Sequence, residues 1–315
     1  MIGEKKMTGY EAVKKVINEV KKVIVGKDEV IFQVMTAMIA DGHILIDDIP
    51  GVGKTSLALS FSKAMALDYN RVQFTPDVLP SDVTGFTMLN KKTNEFEFKK
   101  GAIMCNLFLA DEINRTSSKT QSALLEAMEE GNVTVDSVTY KLPSPFNVIA
   151  TQNPVGSIGT HMLPESQLDR FMFCVSMGYP TVSDEAIMLK EKFCKNPLDE
   201  VRPVIDSKGL DIIKKEVRKV YISDEIYEYI AKIADISRNK SEIELGISPR
   251  GSVAIMKASQ ANAYARERDY VIPEDVNEVL YPCTRHRIIL NARAKTGGLS
   301  MDKVISNISR EAATK

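Results

Sequence analysis

The chain has 315 residues, 44% hydrophobic and 26% charged, with 17 Gly and 13 Pro, enough for one large or two ordinary domains with apolar cores. Its formal net charge of -1 supplies no global basic field, which argues against a nucleic-acid or anionic-membrane protein while leaving room for a local basic loop. No apolar run approaches the ~18 residues of a membrane span, and the charged amino-terminal residues lack the apolar core of a leader.

Apolar residues at Val13, Val16, Ile17, Val20 and Val23 predict a helix over 10–24. Val25-Gly26 turns the chain into a second periodic segment, 30–39. Next comes the apolar strand 44–47, then Asp48-Ile49-Pro50-Gly51-Val52-Gly53-Lys54-Thr55-Ser56 and a helix over 54–66. That layout builds a phosphate cradle. Its glycines let backbone N–H groups converge on an anion, Lys54 reaches the β/γ-phosphates, and the Thr55 hydroxyl is offered to Mg²⁺. The helix adds its positive end. Asp48 departs from the general pattern, which has Gly there.

Strands follow at 71–74, 106–110 and 146–151, with a helix at 117–130 between the last two. Strands alternating with helices imply a parallel sheet covered on both faces, with ligands at the carboxyl ends of its strands. Two polar-turned segments read as hairpins: 86–99 around Asn90-Lys91-Lys92-Thr93-Asn94, and 132–142 around Asp136-Ser137. The strand at 106–110 runs into Asp111-Glu112, acids placed where a phosphate-bound Mg²⁺ would sit. Asp111 suits the metal, and Glu112 suits accepting a proton from the attacking water. Asn153, after the strand at 146–151, is either a water-binding amide or an ordinary Asn-Pro turn with Pro154.

Past Pro180 the pattern turns helical, with segments 184–194, 208–220, 224–238, 250–268, 274–282 and 301–312 and no expected strand. A boundary near 182 divides a nucleotide-binding α/β domain, 1–182, from a smaller helical domain, 183–315. Arg250 in Ser248-Pro249-Arg250 is a cation in a helix's first turn, where the dipole repels it unless an anion such as a γ-phosphate lies near. Arg170, beside Asp169, reads as half of a structural ion pair. Cys105, Cys174, Cys194 and Cys283 form no C-x-x-C pair, so neither disulfide nor zinc site is expected, and a reducing cytoplasm is the simple setting. His43, His161 and His286 are scattered and read as core or surface residues.

Several longer phrases go beyond the phosphate loop. They include Gln73-Phe74-Thr75-Pro76-Asp77, Leu79-Pro80-Ser81-Asp82-Val83-Thr84-Gly85 and Ala110-Asp111-Glu112-Ile113-Asn114-Arg115. Lys119 to Glu130, Ala150-Thr151-Gln152-Asn153-Pro154 and Leu163 to Phe171 complete the set. Together they resemble the MoxR family of AAA+ ATPases over roughly residues 23–290, and Asp48 matches that family's loop wording. Thr116-Ser117-Ser118 departs from its usual Ala-Pro-Pro.

The resemblance implies a P-loop NTPase fold with an all-α lid, and ATP and Mg²⁺ as ligands. Pro50, Gly51, Val52, Gly53, Lys54, Thr55 and Ser56 match Walker A, with Val25 and Gly26 expected beside the nucleotide. Asp111 and Glu112 match Walker B, Thr55 and Asp111 being the Mg²⁺ residues. Asn153 matches sensor 1, and Arg250 sensor 2, acting in cis. Arg170 takes the arginine-finger position, acting in trans. The hairpins match inserts that line a ring's surface or pore. The resemblance further implies a homo-oligomer, usually a hexameric ring, with a chaperone-like role toward a protein client, often one with a von Willebrand factor A domain. A nucleic-acid-directed motor and a slow nucleotide-gated scaffold are the rival readings.

Overall fold

The computed structural model describes residues 7–153, 162–194 and 196–314. Pro154 and His161 lie outside the described residues. Helices α1 (Gly9–Lys21) and α2 (Asp28–Ile39) lead into β1 (Ile44–Asp47), α3 (Lys54–Ala64) and β2 (Tyr69–Gln73). Then come α4 (Pro80–Thr84), hairpin strands β3 (Gly85–Asn90) and β4 (Glu95–Lys100), and β5 (Leu107–Asp111). Helix α5 (Ser118–Glu130), the hairpin β6 (Asn132–Val135) and β7 (Val138–Lys141), β8 (Asn147–Gln152), α6 (Glu165–Leu168) and β9 (Phe173–Val175) follow. The carboxyl-terminal part holds α7 (Val182–Cys194), α8 (Ser207–Val217), α9 (Asp224–Asn239), β10 (Ile243–Leu245), α10 (Pro249–Ala265) and α11 (Pro273–Thr284). It ends with β11 (Ile289–Leu290), α12 (Ala292–Thr296) and α13 (Met301–Thr314).

The main sheet runs β2-β5-β8-β1-β9, with every neighbouring pair parallel. Both faces are buried, and the period of two sorts its side chains between two cores. Ile44, Ile46, Leu107, Leu109, Ile149, Phe173 and Val175 face the core shared with α1, α2, α3 and the carboxyl-terminal helices. Leu45, Phe108, Ala110, Val148, Ala150 and Cys174 face the other, under α5.

Two features differ from the sequence expectation. The sheet gains an edge strand, β9, whose Phe173-Cys174-Val175 is too short to carry a legible period and forms because β1 offers a parallel partner in register. The carboxyl-terminal part is not free of strands: β10 and β11 pair antiparallel, with a register irregularity between Ile243 and Leu245. Both expected hairpins form, and in the first the pairing reaches one residue further into the turn than expected, to Asn90 and Glu95. Asp136 and Ser137 have φ of 48° and 66°, the left-handed pair that a tight two-residue turn demands.

The amino ends of the central strands are tied by His43. Its Nδ1 accepts the Val148 N–H at 3.0 Å and its Nε2 lies 3.0 Å from the Met128 carbonyl oxygen. Burial pushes its pKa down to about 4, so the ring is neutral with its proton on Nε2, donating to Met128. On the same side, the buried Lys214 of α8 donates to Asp41 at 2.8 Å and to Asn147 at 3.0 Å. These contacts fix the helical part against the amino ends of β1 and β8. Among the described residues no helix is long and apolar enough to cross a membrane.

Candidate nucleotide site

The loop between β1 and α3 sits at the carboxyl end of the sheet. Gly51 and Gly53 have φ of 86° and 96°, a region where a side chain would strain the backbone. A Cβ on Gly51 would meet nothing within 4 Å, and one on Gly53 only Met177 Cε at 3.8 Å and Ile24 Cδ1 at 4.0 Å. The concavity above the loop is therefore open to a ligand. Backbone conformation, rather than crowding, requires glycine there.

Lys54, 8% exposed, donates to the Asp48 carbonyl oxygen at 2.6 Å and reaches that of Gln152 at 3.5 Å. Burial lowers its pKa against the opposing pull of Asp48, Asp111, Glu112 and Asp47. The ammonium is thus poised among acids at the mouth of the loop. Asp48 explains itself in the fold. Its Oδ2 accepts from Ser176 Oγ at 3.0 Å, Met177 N at 2.5 Å and Gly178 N at 2.7 Å, and its Oδ1 from Ile49 N at 2.8 Å. Burial pushes its carboxyl up, but these donors outweigh it and hold the pKa below the usual carboxylate range. A glycine could not fasten the loop to the exit of β9 in this way.

Beside the loop, β5 and β8 end together. Asp111 Oδ1 accepts from Thr151 Oγ1 at 2.6 Å, and its Oδ2 from Arg71 Nε at 3.2 Å and Nη2 at 2.7 Å. Glu112 holds a left-handed φ of 56°, uncommon for a residue with a side chain. Its N–H is fixed by the Thr151 hydroxyl at 2.8 Å, and its carboxylate pairs with Arg115 at 2.6 Å. Asn114, 1% exposed, donates to the Asn153 carbonyl oxygen at 3.3 Å. The expected acids and Asn153 therefore gather at one strand end with Lys54.

A cavity of about 310 Å³ opens next to the loop, walled by Ile24, Val25, Pro50, Gly53, Ser56 and Met188 among others. Its apolar and backbone-rich lining suits a nucleobase and sugar. Val25 belongs to its wall. Gly26 does not. It shapes the turn instead, at φ 71° and so near Asp184 that an added Cβ would lie 2.2 Å from that carboxylate.

Arg170 and Arg250 lie elsewhere. Arg170 Nη1 donates to the Leu125 carbonyl oxygen at 2.7 Å and pairs with Glu129 Oε2 at 2.9 Å, while Arg250 Nη2 pairs with Glu129 Oε1. Glu129 neighbours Met128, whose carbonyl meets His43 at the amino end of β1. Arg170 precedes Met172, whose N–H donates to the His43 carbonyl oxygen at 2.8 Å. Both arginines thus stand at the amino ends of the strands, across the sheet from their own phosphate loop. The cis role expected of Arg250 would need it beside the phosphate loop of its own copy, whereas here it pairs with Glu129 at the amino-end side of the sheet.

Several residues that sequence reasoning passed over complete this second constellation. Arg287, 5% exposed, donates to Asp169 Oδ1 at 2.7 Å and to the carbonyl oxygens of Asp169 at 2.9 Å, Phe171 at 2.7 Å and Met172 at 3.1 Å. Ser248 Oγ donates to both Asp169 carboxylate oxygens, at 3.0 and 2.9 Å. The only signal for Arg287 was the cation-rich run Arg285-His286-Arg287, which reads equally as a solvated surface.

Comparison with known proteins agrees with this geometry. Residues 43–173 match the ATPase family associated with various cellular activities (AAA), and residues 236–308 match the AAA lid domain. The protein YeaC of Bacillus subtilis is 48% identical over 93% of this chain and 92% of its own length. The chaperone MoxR1 of Mycobacterium tuberculosis is 34% identical over 94% of this chain and 81% of its own length. A crystal structure from Cytophaga hutchinsonii, described as a candidate ATPase, superposes with a TM-score of 0.89 at 39% identity, covering 96% of this chain and 94% of that one.

The chain belongs to the MoxR family of AAA+ ATPases. As a MoxR protein it is an ATPase, with a nucleotide-binding parallel sheet and a helical lid. Within the MoxR lid, β10 and β11 are a small addition to the helices. Replacing the buried Lys54 with Ala removes the one lysine at the loop. Nucleotide affinity is expected to fall by about tenfold or more, the worth of a charge-assisted bond to phosphate. Titration with a fluorescent ATP analogue measures it, and unchanged affinity would place the site elsewhere.

Proposed function

We propose that this MoxR protein is a ring-forming, Mg²⁺-dependent ATPase of the cytoplasm whose active sites are completed between neighbouring copies, and that turnover remodels or matures a protein client. The observation that carries the reading is the placement of Arg170 and Arg250 at the strand ends opposite their own phosphate loop. Two catalytic-type arginines on the far edge serve a nucleotide only if a second copy presents one. A hexamer is the ring size that the family resemblance favours.

In this reading the β- and γ-phosphates lie over Gly51 to Thr55, with Lys54 leaving the Asp48 carbonyl to meet them. The open concavity above Gly51 and the oxygen donors Thr55 and Asp111 fit a hydrated Mg²⁺. Thr55 and Asp111 would hold that ion, which would supply positive charge against the phosphates. Glu112, held by its fixed backbone, accepts a proton from water as it attacks the γ-phosphorus, and Asn153 orients that water. The bond from the γ-phosphorus to the β,γ-bridging oxygen breaks, and a neighbour's Arg170 and Arg250 balance the charge that spreads onto the phosphoryl oxygens.

The hairpins support a protein client rather than a nucleic acid. Phe86, Met88, Leu89 and Phe96 on β3 and β4, and Val138 on β7, are large apolar side chains left exposed, a surface suited to protein contact. A partner bearing a von Willebrand factor A domain is the client class the resemblance points to. The test of the shared site is ATPase rate per subunit across a wide range of protein concentration. The rate is expected to rise steeply and then level as copies assemble. A flat, appreciable rate from a protein that sediments as a monomer would overturn the reading.

A further inference from the structure

We propose that Glu129 is the positioning residue that assembles Arg170 and Arg250 into a single cationic unit for the neighbouring copy's γ-phosphate. This rests on the reading that both arginines act in trans. The two guanidiniums come from different parts of the fold, Arg170 from the segment before β9 and Arg250 from the first turn of α10. Each takes a different oxygen of the one carboxylate: Arg170 Nη1 pairs with Oε2 at 2.9 Å, and Arg250 Nη2 with Oε1.

Two cations side by side repel, and Arg250 also stands in a first turn where the helix dipole opposes it. The carboxylate between them removes that repulsion and fixes their separation. Backbone freedom is already gone on both sides. Arg287 holds the carbonyls of Asp169 and Phe171, which flank Arg170, and Ser248, two residues before Arg250, is bound to Asp169. Only the side-chain ends remain to be steered: the Leu125 carbonyl oxygen takes part in holding Arg170, and Glu129, from the end of α5, is the group that holds both. With side-chain exposures of 29% for Arg170, 44% for Arg250 and 37% for Glu129, the trio sits at the surface, where another copy can reach it. Donors fixed before the phosphate arrives need no reorganisation as charge develops, which is where preorganised groups act on rate. Glu129 itself touches no reacting atom.

Glu129→Gln keeps the shape and removes the charge, and Glu129→Asp keeps the charge on a shorter stem. For Glu129→Gln, kcat is expected to drop by about tenfold or more with KM and ATP affinity unchanged, because the subunit's own phosphate loop is untouched. Glu129→Asp is expected to recover part of the loss. Retained ATP affinity shows that the variant is folded. The decisive readout is a mixture of Glu129→Gln and Glu112→Gln proteins. A Glu129→Gln copy keeps its own Glu112, and a Glu112→Gln neighbour supplies correctly held arginines, so activity is expected to return.

A Glu129→Gln kcat equal to or above the parent's would overturn the proposal, the higher value meaning that the carboxylate competes with phosphate. Failure of that mixture, when Arg170→Ala mixed with Glu112→Gln does recover, would overturn the positioning role and leave the trans reading standing. Failure of both mixtures would overturn the trans reading and this proposal with it.

Discussion

A Glu112→Gln protein is expected to bind ATP as tightly as the parent and to hydrolyse it slower by about 10²–10⁴, the range for removing a general base. The geometry argues for so clean a separation. Glu112 is set by its backbone, with φ at 56° and its N–H on the Thr151 hydroxyl, and an amide of the same shape leaves that arrangement alone. Thr151 also donates to Asp111, so the neighbouring acid keeps its place. What the substitution removes is the negative oxygen able to take a proton from water. Glutamine can still accept a hydrogen bond from Arg115, so the turn from 112 to 115 has no reason to open. Single-turnover phosphate release beside a binding titration separates the two effects. Parent-like phosphate release would remove Glu112 from the chemistry, and weakened binding with normal turnover would recast it as a nucleotide contact.

The sequence made the phosphate loop legible because its requirement is local. Glycines at φ of 86° and 96°, a lysine and a hydroxyl follow one another within a few residues, and the flanking strand and helix carry their own periods. The hairpin turn at Asp136-Ser137 was legible for the same reason. What stayed hidden depends on residues far apart in the chain. Asp48 looked like a departure from a glycine pattern until the backbone at Ser176 to Gly178 folded onto it. Strand β9 is only Phe173 to Val175, too brief to announce itself without the register that β1 supplies. β11 is shorter still, Ile289 and Leu290, and depends on β10 for its existence.

Arg250 shows the limit best. Its place in a helix's first turn was readable and its need for an anion followed from the dipole, but which anion depends on where the lid docks. That is decided by long-range contacts, including Lys214 on Asp41 and Asn147 and Arg287 on the segment from Asp169 to Met172. Glu129 lies within the family phrase from Lys119 to Glu130, and nothing in the sequence gives it a role of its own. Only the fold brings two arginines to it.

Replacing Arg170 with Ala is expected to leave ATP affinity intact and to cut turnover by about 10³–10⁵, the range measured where such an arginine stabilises a phosphoryl transition state. Binding is spared because Arg170 stands at the opposite end of the sheet from the phosphate loop of its own copy. Folding is spared because the surrounding backbone is held by Arg287 and His43 rather than by the Arg170 side chain. The substitution does free Glu129 from one partner, but Arg250 remains paired with it. A purely structural Arg170 would give a different signature: lowered stability, altered binding, and no rescue by another copy. Mixing Arg170→Ala with Glu112→Gln therefore decides the matter. Each protein alone lacks one half of a working site, while a shared ring places an intact Glu112 opposite an intact Arg170 at some interfaces. Recovery requires the two residues to meet across subunits. A mixture that assembles and stays inactive would mean that they do not.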